Sequence, residues 1–149
     1  MATRSLSNLW TYKLHRLKRI IDKHIAEEYL VGTGLALREA RTLAAIGAFG
    51  PLSLGDVARG ANLDKSQASR GVDALLSRKL VARKVDAHDA RAVSLTVTAE
   101  GEKAYKVALK TAAEWHYRLS KALTAEERVV FEGMLDRIIK VAEEWPPAE

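Results

Sequence analysis

Residues 64–101 read DKSQASRGVDALLSRKLVARKVDAHDARAVSLTVTAEG and predict a helix followed by a two-stranded hairpin. Asp64 is a typical N-cap residue, and Gln67 stands three positions later, where a capping box places an amide. The apolar residues that follow recur at intervals of three and four, which places them on one stripe that must be buried. This stripe consists of Ala68, Val72, Leu75, Leu76 and Leu80.

The other faces of this helix carry short polar side chains and long cations, with no apolar residue to bury. Arg and Gln can bond guanine and adenine bidentately, and Ser can bond a base or a phosphate oxygen. The base-reading candidates are Ser66, Gln67, Ser69 and Arg70, and the phosphate-binding candidates are Lys65, Arg78, Lys84 and Arg59. An ordinary solvated helix face is the alternative, because polar residues are mostly exposed in any protein.

A shorter helix is predicted just before this one, so that the two form a helix-turn-helix. Ser53 can cap it, with Asp56 at its third helical position, and residues 60–63 supply a tight turn into the next helix. Its narrow apolar stripe consists of Leu54, Val57, Ala58 and Ala61. In such a motif the second helix enters the major groove of DNA.

Two β-branched runs, Val81–Val85 and Ala92–Val97, follow the helix and predict a hairpin with Arg91 at its tip. An Arg on a protruding loop suits a narrow minor groove, where the negative potential is enhanced. Asp89 can orient the guanidinium of Arg91 through a bidentate pair. The hairpin tip is therefore predicted to be a second DNA contact.

These residues together resemble the MarR-type winged-helix transcriptional regulators. The wing and next helix start of that family are similar to Asp89, Arg91, Leu95, Thr98 and Gly101, spaced D-x-R-x3-L-x2-T-x2-G. Its recognition helix is similar to Ser66, Ala68, Ser69, Arg70, Val72 and Leu75, and its last helix start to Leu123, Thr124, Glu126 and Glu127. The resemblance implies a mainly α fold with a small β-hairpin wing, in which a winged helix-turn-helix module joins a helical dimerisation region.

The first part of the chain predicts two helices. Residues 6–30 form one amphipathic helix, a break follows at residues 31–34, and a second helix runs from Leu37 to Ala48. The apolar stripe of the first is Leu6, Leu9, Trp10, Leu14, Leu17, Ile20, Ile21, Ile25 and Tyr29, and the inward residues of the second are Leu37, Ala40, Leu43, Ala44 and Gly47. Ala36 stands where relatives commonly have a hydroxyl N-cap, so the second helix is expected to fray at its start or to begin a residue earlier.

Two long helices are predicted after the hairpin. Thr98 caps the first, and Thr124 with Glu127 forms a capping box at the second. The second carries Val130, Phe131, Met134, Leu135, Ile138, Val141, Ala142 and Trp145 before Pro146 and Pro147 stop it. Because the terminal helices cannot bury these stripes alone, we expect the first, fifth and sixth helices to form a homodimer interface. A monomer that folds them onto its own core is the alternative.

Residues 1–149 are therefore interpreted as one MarR-type domain, with a DNA-binding module at 36–98 and dimerisation helices at 5–32 and 99–146. A two-fold dimer reads a pseudo-palindrome whose half-sites lie about one turn, roughly 10 base pairs, apart. Gly71 inside the recognition helix either permits close approach to another backbone or is a tolerated accident.

The composition favours some classes of function and excludes others. A net charge of +5 and a pI near 9.6 favour a polyanionic partner, and residues 59–91 hold eight cations against four acids. The absence of cysteine excludes disulfides, thiolate metal sites and thiol-based redox sensing. The start of the chain lacks a signal sequence and no run approaches a membrane span, which predicts a soluble cytoplasmic protein.

A ligand site is predicted on the first helix, because the resembled family binds small molecules, often aromatic acids, near its dimerisation helices. The candidate pocket residues are Trp10, Tyr12, His15, Arg16, Arg19 and Arg41, which place aromatic rings beside cations. The alternative is that Trp10 belongs to the core and the cations are solvated. No catalytic motif, phosphate loop or metal-binding spacing is present, so we expect no enzyme activity and no cofactor.

The sequence thus predicts a sequence-specific DNA-binding regulator, a homodimeric repressor of a palindromic operator that a small aromatic acid releases. The alternative is a helical interaction module whose basic hairpin binds an acidic partner other than DNA. A steep loss of duplex affinity with added salt distinguishes the first from the second.

Overall fold

The computed structural model describes residues 5–85 and 93–146. A short 3₁₀ turn, Leu6–Asn8, precedes six α-helices and one hairpin in these residues. In chain order the elements are α1 (Trp10–Thr33), α2 (Leu37–Phe49), α3 (Leu54–Gly60), α4 (Lys65–Ser77), β1 (Val81–Val85), β2 (Val93–Val97), α5 (Ala99–Ser120) and α6 (Ala125–Glu143). The predicted fold class, mainly α with a small β-hairpin, is confirmed.

The chain divides into two compact units, Met1–Ala112 and Ala113–Glu149. The first contains the helix-turn-helix, the hairpin and the start of α5, and most of the buried apolar side chains lie in it. Its largest fully buried residues are Leu35, Leu43, Ile46, Leu75, Val57 and Thr42. The second contains the end of α5 and all of α6, which has no buried residue.

The predicted caps define the helix-turn-helix. Ser53 Oγ accepts from the Asp56 N–H (3.2 Å), and Asp64 Oδ1 accepts from the Gln67 N–H (2.7 Å). Between α3 and α4, Asn62 adopts a left-handed conformation with φ 54°, and the Leu63 N–H donates to the Ala58 carbonyl (3.0 Å). Asn tolerates this conformation better than most residues, so the turn ends α3 and starts α4 within four residues.

The stripe of α4 packs against α2, and Gly71 lies at the contact. Ala68, Val72 and Leu75 are buried as predicted, whereas Leu76 is only half-buried. A Cβ added to Gly71 would stand 2.4 Å from Oγ1 of Thr42, a residue with no exposed surface. Gly71 is therefore required because α4 approaches α2 closely at this position, and the group it approaches is the Thr42 side chain.

The hairpin is held by residues on both sides of it. Its strands pair antiparallel, with Val81 opposite Val97 and Val85 opposite Val93. Leu52, before α3, exchanges two backbone hydrogen bonds with Leu95 of β2, at 2.8 and 3.1 Å. The sequence did not predict this bridge between Leu52 and Leu95, because a single pair of residues leaves no periodic pattern.

The start of α5 is attached to the end of α4. Thr98 Oγ1 accepts from the Gly101 N–H (3.0 Å) as the predicted cap, and its own hydroxyl donates to the Lys79 carbonyl (2.7 Å). A Cβ on Gly101 would stand 1.9 Å from the Leu80 carbonyl oxygen. The Thr98 and Gly101 positions of the wing pattern thus fix where α5 leaves the hairpin and the end of α4.

Two predicted helix features were wrong in detail. The helix predicted over residues 6–30 begins only at Trp10, Val31 to Thr33 are helical rather than a break, and Gly34 alone ends α1, with φ 68°. The buried residues of α2 are Ala40, Thr42, Leu43, Ala45 and Ile46, so Leu37, Ala44 and Gly47 of the predicted set are only half-buried. The sequence stripe missed Thr42 because it was polar, although its hydroxyl is satisfied within the helix by the Arg38 carbonyl (2.8 Å).

The start of α2 is where the sequence placed it, despite its missing hydroxyl. The N-cap is Ala36, and the carboxylate of Glu39 accepts from the Ala36 N–H (3.1 Å). This is the acidic half of a capping box, and an alanine side chain has no acceptor for the other half. Neither a frayed start nor a shifted one is observed.

Replacing Gly71 by Ala is expected to lower the free energy of unfolding by about 1–3 kcal/mol, because the added methyl overlaps Thr42. Gly133→Ala in α6 is the matched control, since a Cβ there meets no atom within 4 Å. The control should gain up to about 1 kcal/mol from helix propensity alone. Denaturant titration of both variants is the measurement, and a stabilised Gly71→Ala protein would contradict the tight contact.

Candidate nucleic-acid interface

The polar face of α4 is directed into solvent, because the opposite face is fixed in the core. Ser66 and Arg70 lie one turn apart near the centre of this face. Arg70 Nη2 donates to Ser66 Oγ (3.0 Å), and Arg70 Nε lies 3.5 Å from the Ser66 carbonyl. The guanidinium is therefore held along the helix surface near the N-terminal half of α4, which is the part of a recognition helix that contacts bases.

The other predicted contacts on α4 are spread over its flanks. Lys65 and Gln67 are exposed, and Ser69 is half-buried. Ser69 borders a groove between α4 and the hairpin, whose remaining lining residues are Leu54, Val72, Asp73, Arg83, Val93 and Leu95. Ser69 is therefore the least accessible of the predicted base-reading residues.

Asp73 and Arg83 form an ion pair across this groove that the sequence did not predict. Arg83 Nη2 lies 3.6 Å from Asp73 Oδ1, and both side chains are more than half exposed. Asp73 lies on the polar face of α4, one turn beyond Ser69 and Arg70, so a negative charge stands beside the predicted base-reading residues. The pair links the recognition helix to β1 and occupies a cation that a phosphate would otherwise attract.

The predicted wing contacts are only partly described. Lys84 is exposed on β1, and its carbonyl lies 3.4 Å from the Ser94 hydroxyl of β2. Asp89 and Arg91, predicted for the minor groove, lie outside the described residues. Arg59, the further phosphate candidate, pairs with Asp56 on its own helix. Hydrogen bonds from Ser53 and then from Arg59 hold the pKa of the Asp56 carboxyl below its ordinary value.

The Arg78 side chain contacts other parts of the protein, although it is also partly exposed. Its Nη1 donates to the carbonyl of Gly34 (2.8 Å) and lies 3.9 Å from Glu39 Oε2. The side chain remains 43% exposed. A residue predicted as a phosphate contact therefore connects the end of α4 to the turn between α1 and α2.

The predicted ligand residues do not share one pocket in the described chain. All five on α1 are exposed, and at 3.6 residues per turn Trp10 projects opposite Arg19. His15 lines one shallow depression with Thr11, Leu14 and Lys18, and Arg19 lines another with Ile20, Lys23 and His24. Tyr12, Arg16 and Arg19 do lie on one side of the helix, because they are spaced by four and three residues.

Arg41 already has a carboxylate partner. Its guanidinium bonds Asp22 on α1, which also pairs with Lys18. Partial burial is the largest influence on Asp22 and raises its pKa, but the hydrogen bonds from Arg41 and Lys18 outweigh it, so the pKa lies below its ordinary value. Asp22 is thus ionised near neutral pH, and a ligand carboxylate at Arg41 has to compete with it.

Metal-binding clusters and membrane-spanning helices are both absent from residues 5–85 and 93–146. No group of three or more His, Asp or Glu side chains is arranged to hold a metal ion there. No helix of these residues combines the length and the apolar character needed to cross a membrane.

Comparison with known proteins gives a family match for part of the chain. Residues 33–92 match the MarR family model. This part of the chain is therefore similar to the MarR family. Solved structures similar to the chain include transcriptional regulators of this family.

Solved structures resemble the chain over almost its full length. A MarR-family regulator from Silicibacter pomeroyi shares 24% identity over 100% of this chain and 99% of its own, with a TM-score of 0.81. BpsR of Bordetella bronchiseptica, whose DNA binding is regulated by 6-hydroxynicotinic acid, shares 23% identity over 92% and 97%, with a TM-score of 0.79. MepR of S. aureus, in a complex with DNA, shares 19% over 93% and 99%, with a TM-score of 0.80. No curated protein matches the sequence significantly.

Replacing Asp73 by Asn is expected to raise the affinity for duplex DNA by up to about fivefold at low salt, because it removes a negative charge from the polar face of α4 and releases Arg83. The slope of log K against log salt should steepen by up to about 1. Glu27→Gln, an identical charge change on the exposed side of α1, is the control and should change neither quantity. An unchanged or weaker affinity of the Asp73 variant would contradict this role.

Proposed function

We propose that this protein is a MarR-family homodimeric repressor that binds a pseudo-palindromic operator and is released by a small aromatic acid. The observation that carries the proposal is the polar face of α4, where a capped helix directs Ser66 and Arg70 away from a fully buried core. Arg reads guanine bidentately in the major groove, and a neighbouring Ser can bond either a base or a phosphate.

The DNA contacts divide by chemistry. Ser66, Gln67, Ser69 and Arg70 are assigned to base edges, Lys65 and Lys84 to phosphates, and Arg91, oriented by Asp89, to the minor groove. Residues 36–98 form the DNA-binding module in this proposal. MepR, which has a similar fold, was solved in a complex with DNA, which supports DNA as the partner.

The dimer is supported by apolar surface that the single chain leaves exposed. On α6 the exposed large side chains include Val129, Val130, Phe131, Met134, Ile138, Ile139 and Val141, and on α1 they include Leu14, Leu17 and Ile20. Soluble monomers rarely leave such continuous apolar rows in water. We assign residues 5–32 and 99–146 to an interface with a second copy of the chain, which places two recognition helices about one turn, roughly 10 base pairs, apart.

The effector is assigned by the chemistry of α1. Tyr12, Arg16 and Arg19 offer one aromatic ring and two cations on the same side of the helix, and His15 borders it. An aromatic carboxylate needs this combination, and 6-hydroxynicotinic acid regulates DNA binding by the similar protein BpsR. Arg41 joins the site in this proposal, whereas Trp10 projects from the opposite side of α1 and lies outside it.

The DNA-binding part is tested with the DNA upstream of the protein's own gene. The wild-type protein should protect a palindrome in footprinting and lose affinity steeply as salt is added. Arg70→Ala should reduce the preference for this operator over a scrambled duplex by about 1–3 kcal/mol. Lys65→Gln should instead weaken all duplexes similarly and lower the salt slope by about 1.

A wild-type protein that binds no duplex in dilute buffer would contradict the proposal. So would a protein that remains monomeric at micromolar concentration, because the operator contact needs two copies. An Arg70→Ala variant with unaltered sequence preference would contradict the assignment of that residue alone.

The ligand part is tested by release from the operator. Benzoic acid and 6-hydroxynicotinic acid are added to the wild-type complex, and the double variant His15→Asn, Arg16→Gln is compared with the control Lys13→Gln. Removing a charged partner of a carboxylate should raise the concentration needed for release about 10-fold or more. Release of the double variant at the wild-type concentration would exclude this site on α1.

A further inference from the structure

Arg78 occupies a position that its predicted role as a phosphate contact does not explain. Its guanidinium donates from Nη1 to the Gly34 carbonyl at 2.8 Å, and Glu39 Oε2 lies 3.9 Å from the same nitrogen. The three residues belong to the ends of three different helices. Arg78 is the C-cap of α4, Gly34 is the C-cap of α1, and Glu39 lies in the first turn of α2.

The α1 end of this connection is well suited to a cation. Gly34 adopts a left-handed conformation that ends the helix, with its N–H donated to the Leu30 carbonyl (2.9 Å). The last carbonyls of a helix carry partial negative charge and lack partners within the helix. The guanidinium also lies close against Gly34, since a Cβ added to Gly34 would stand 3.3 Å from Arg78 Nη2. The guanidinium is therefore seated on the end of α1.

Glu39 connects the same guanidinium to α2. Its carboxylate accepts the Ala36 N–H (3.1 Å), so it is fixed at the first turn of the helix, and its side chain is only 19% exposed. At 3.9 Å it is a charge partner of Arg78 rather than a direct hydrogen-bond acceptor. Its negative charge favours the guanidinium at the turn between α1 and α2 over a position in solvent.

The backbone of Arg78 is held against the C-terminal end of α4, so Arg78 cannot move independently of that helix. After Arg78, the Lys79 N–H donates to the Leu76 carbonyl (3.0 Å) and the Leu80 N–H to the Leu75 carbonyl (2.9 Å). This is a Schellman turn, with Lys79 in the left-handed conformation at φ 59°. Leu75 and Leu80 are both buried, so the backbone of Arg78 is fixed to the helix on both sides.

We propose that Arg78 is a positioning residue that ties the recognition helix to α1, and that this tie sets the half-site spacing the dimer accepts. The inference rests on the proposed function, because it assumes that α1 belongs to the dimer interface. A connection from α4 to the end of α1 then restricts how far each reading module can rotate from the two-fold axis. Both contacts are made by Nη1 of Arg78, so the tie depends on the reach of this side chain and on its positive charge.

The experiment compares the full-length wild type with Arg78→Gln, Arg78→Lys and the control Lys65→Gln. Each is titrated with the operator, with operators whose half-sites are moved together or apart by one base pair, and with a single half-site. Salt slopes and thermal unfolding are measured for all four proteins. Operator spacing is the informative variable, since a residue that only stabilises the fold does not alter relative affinities among duplexes.

The wild type should prefer the native spacing, and Arg78→Gln should reduce that preference about 2- to 30-fold while its salt slope stays unchanged. Arg78→Lys should fall between the wild type and Arg78→Gln, because it keeps the positive charge that faces Glu39. Lys65→Gln should lower the salt slope by about 1 and keep the spacing preference. Glu39→Gln is a second variant for the case in which Arg78→Gln does not fold, and it should relax the preference in the same direction.

Two results would overturn the inference. One is an Arg78→Gln protein that loses about 1 in salt slope with its spacing preference intact, which is the behaviour of a phosphate contact. The other is an equal loss of affinity on every duplex, which is the behaviour of a residue that only stabilises the fold. A wild-type protein that binds none of these duplexes contradicts the proposed function instead.

Discussion

The contact between Gly71 of α4 and Thr42 of α2 determines where the recognition helix lies. Thr42 has no exposed surface, and the missing side chain at position 71 lets the two helices approach until the Thr42 hydroxyl fills that space. With the helix at this depth, Ala68, Val72 and Leu75 are buried and Ser66 and Arg70 face outward. The direction of the polar face is thus a consequence of packing on the opposite side.

The charge on this surface is lower than the count of cations indicates. Residues 59–91 contain eight cations, but Arg59 pairs with Asp56, Arg83 with Asp73, and Arg78 with the end of α1 and with Glu39. Exposed pairs of this kind contribute little to stability, so their larger effect is on the field that DNA meets. The remaining cations on the recognition helix and wing strand, Lys65, Arg70 and Lys84, carry most of the electrostatic attraction in our proposal.

The described part of the chain also shows how unevenly apolar surface is buried. The helix-turn-helix has a complete core of its own, whereas α6 has no buried residue, and most of the apolar side chains of α1 are exposed. Helices with such stripes gain stability only when a partner covers them. If a second copy does so, folding of these helices and formation of the two-fold binding surface are one process, and stability depends on protein concentration.

The sequence by itself determined the features that depend on neighbouring residues. The caps at Ser53, Asp64, Thr98 and Thr124, the hairpin strands and the buried stripe of α4 except Leu76 were predicted correctly, because each arises from a side chain and the backbone a few positions away. Tertiary structure alone decided the partners of Arg78, Arg83 and Leu52, and the reason for Gly71. Those contacts join positions far apart in the chain, and composition or periodicity carries no record of which distant atoms the packed helices bring together.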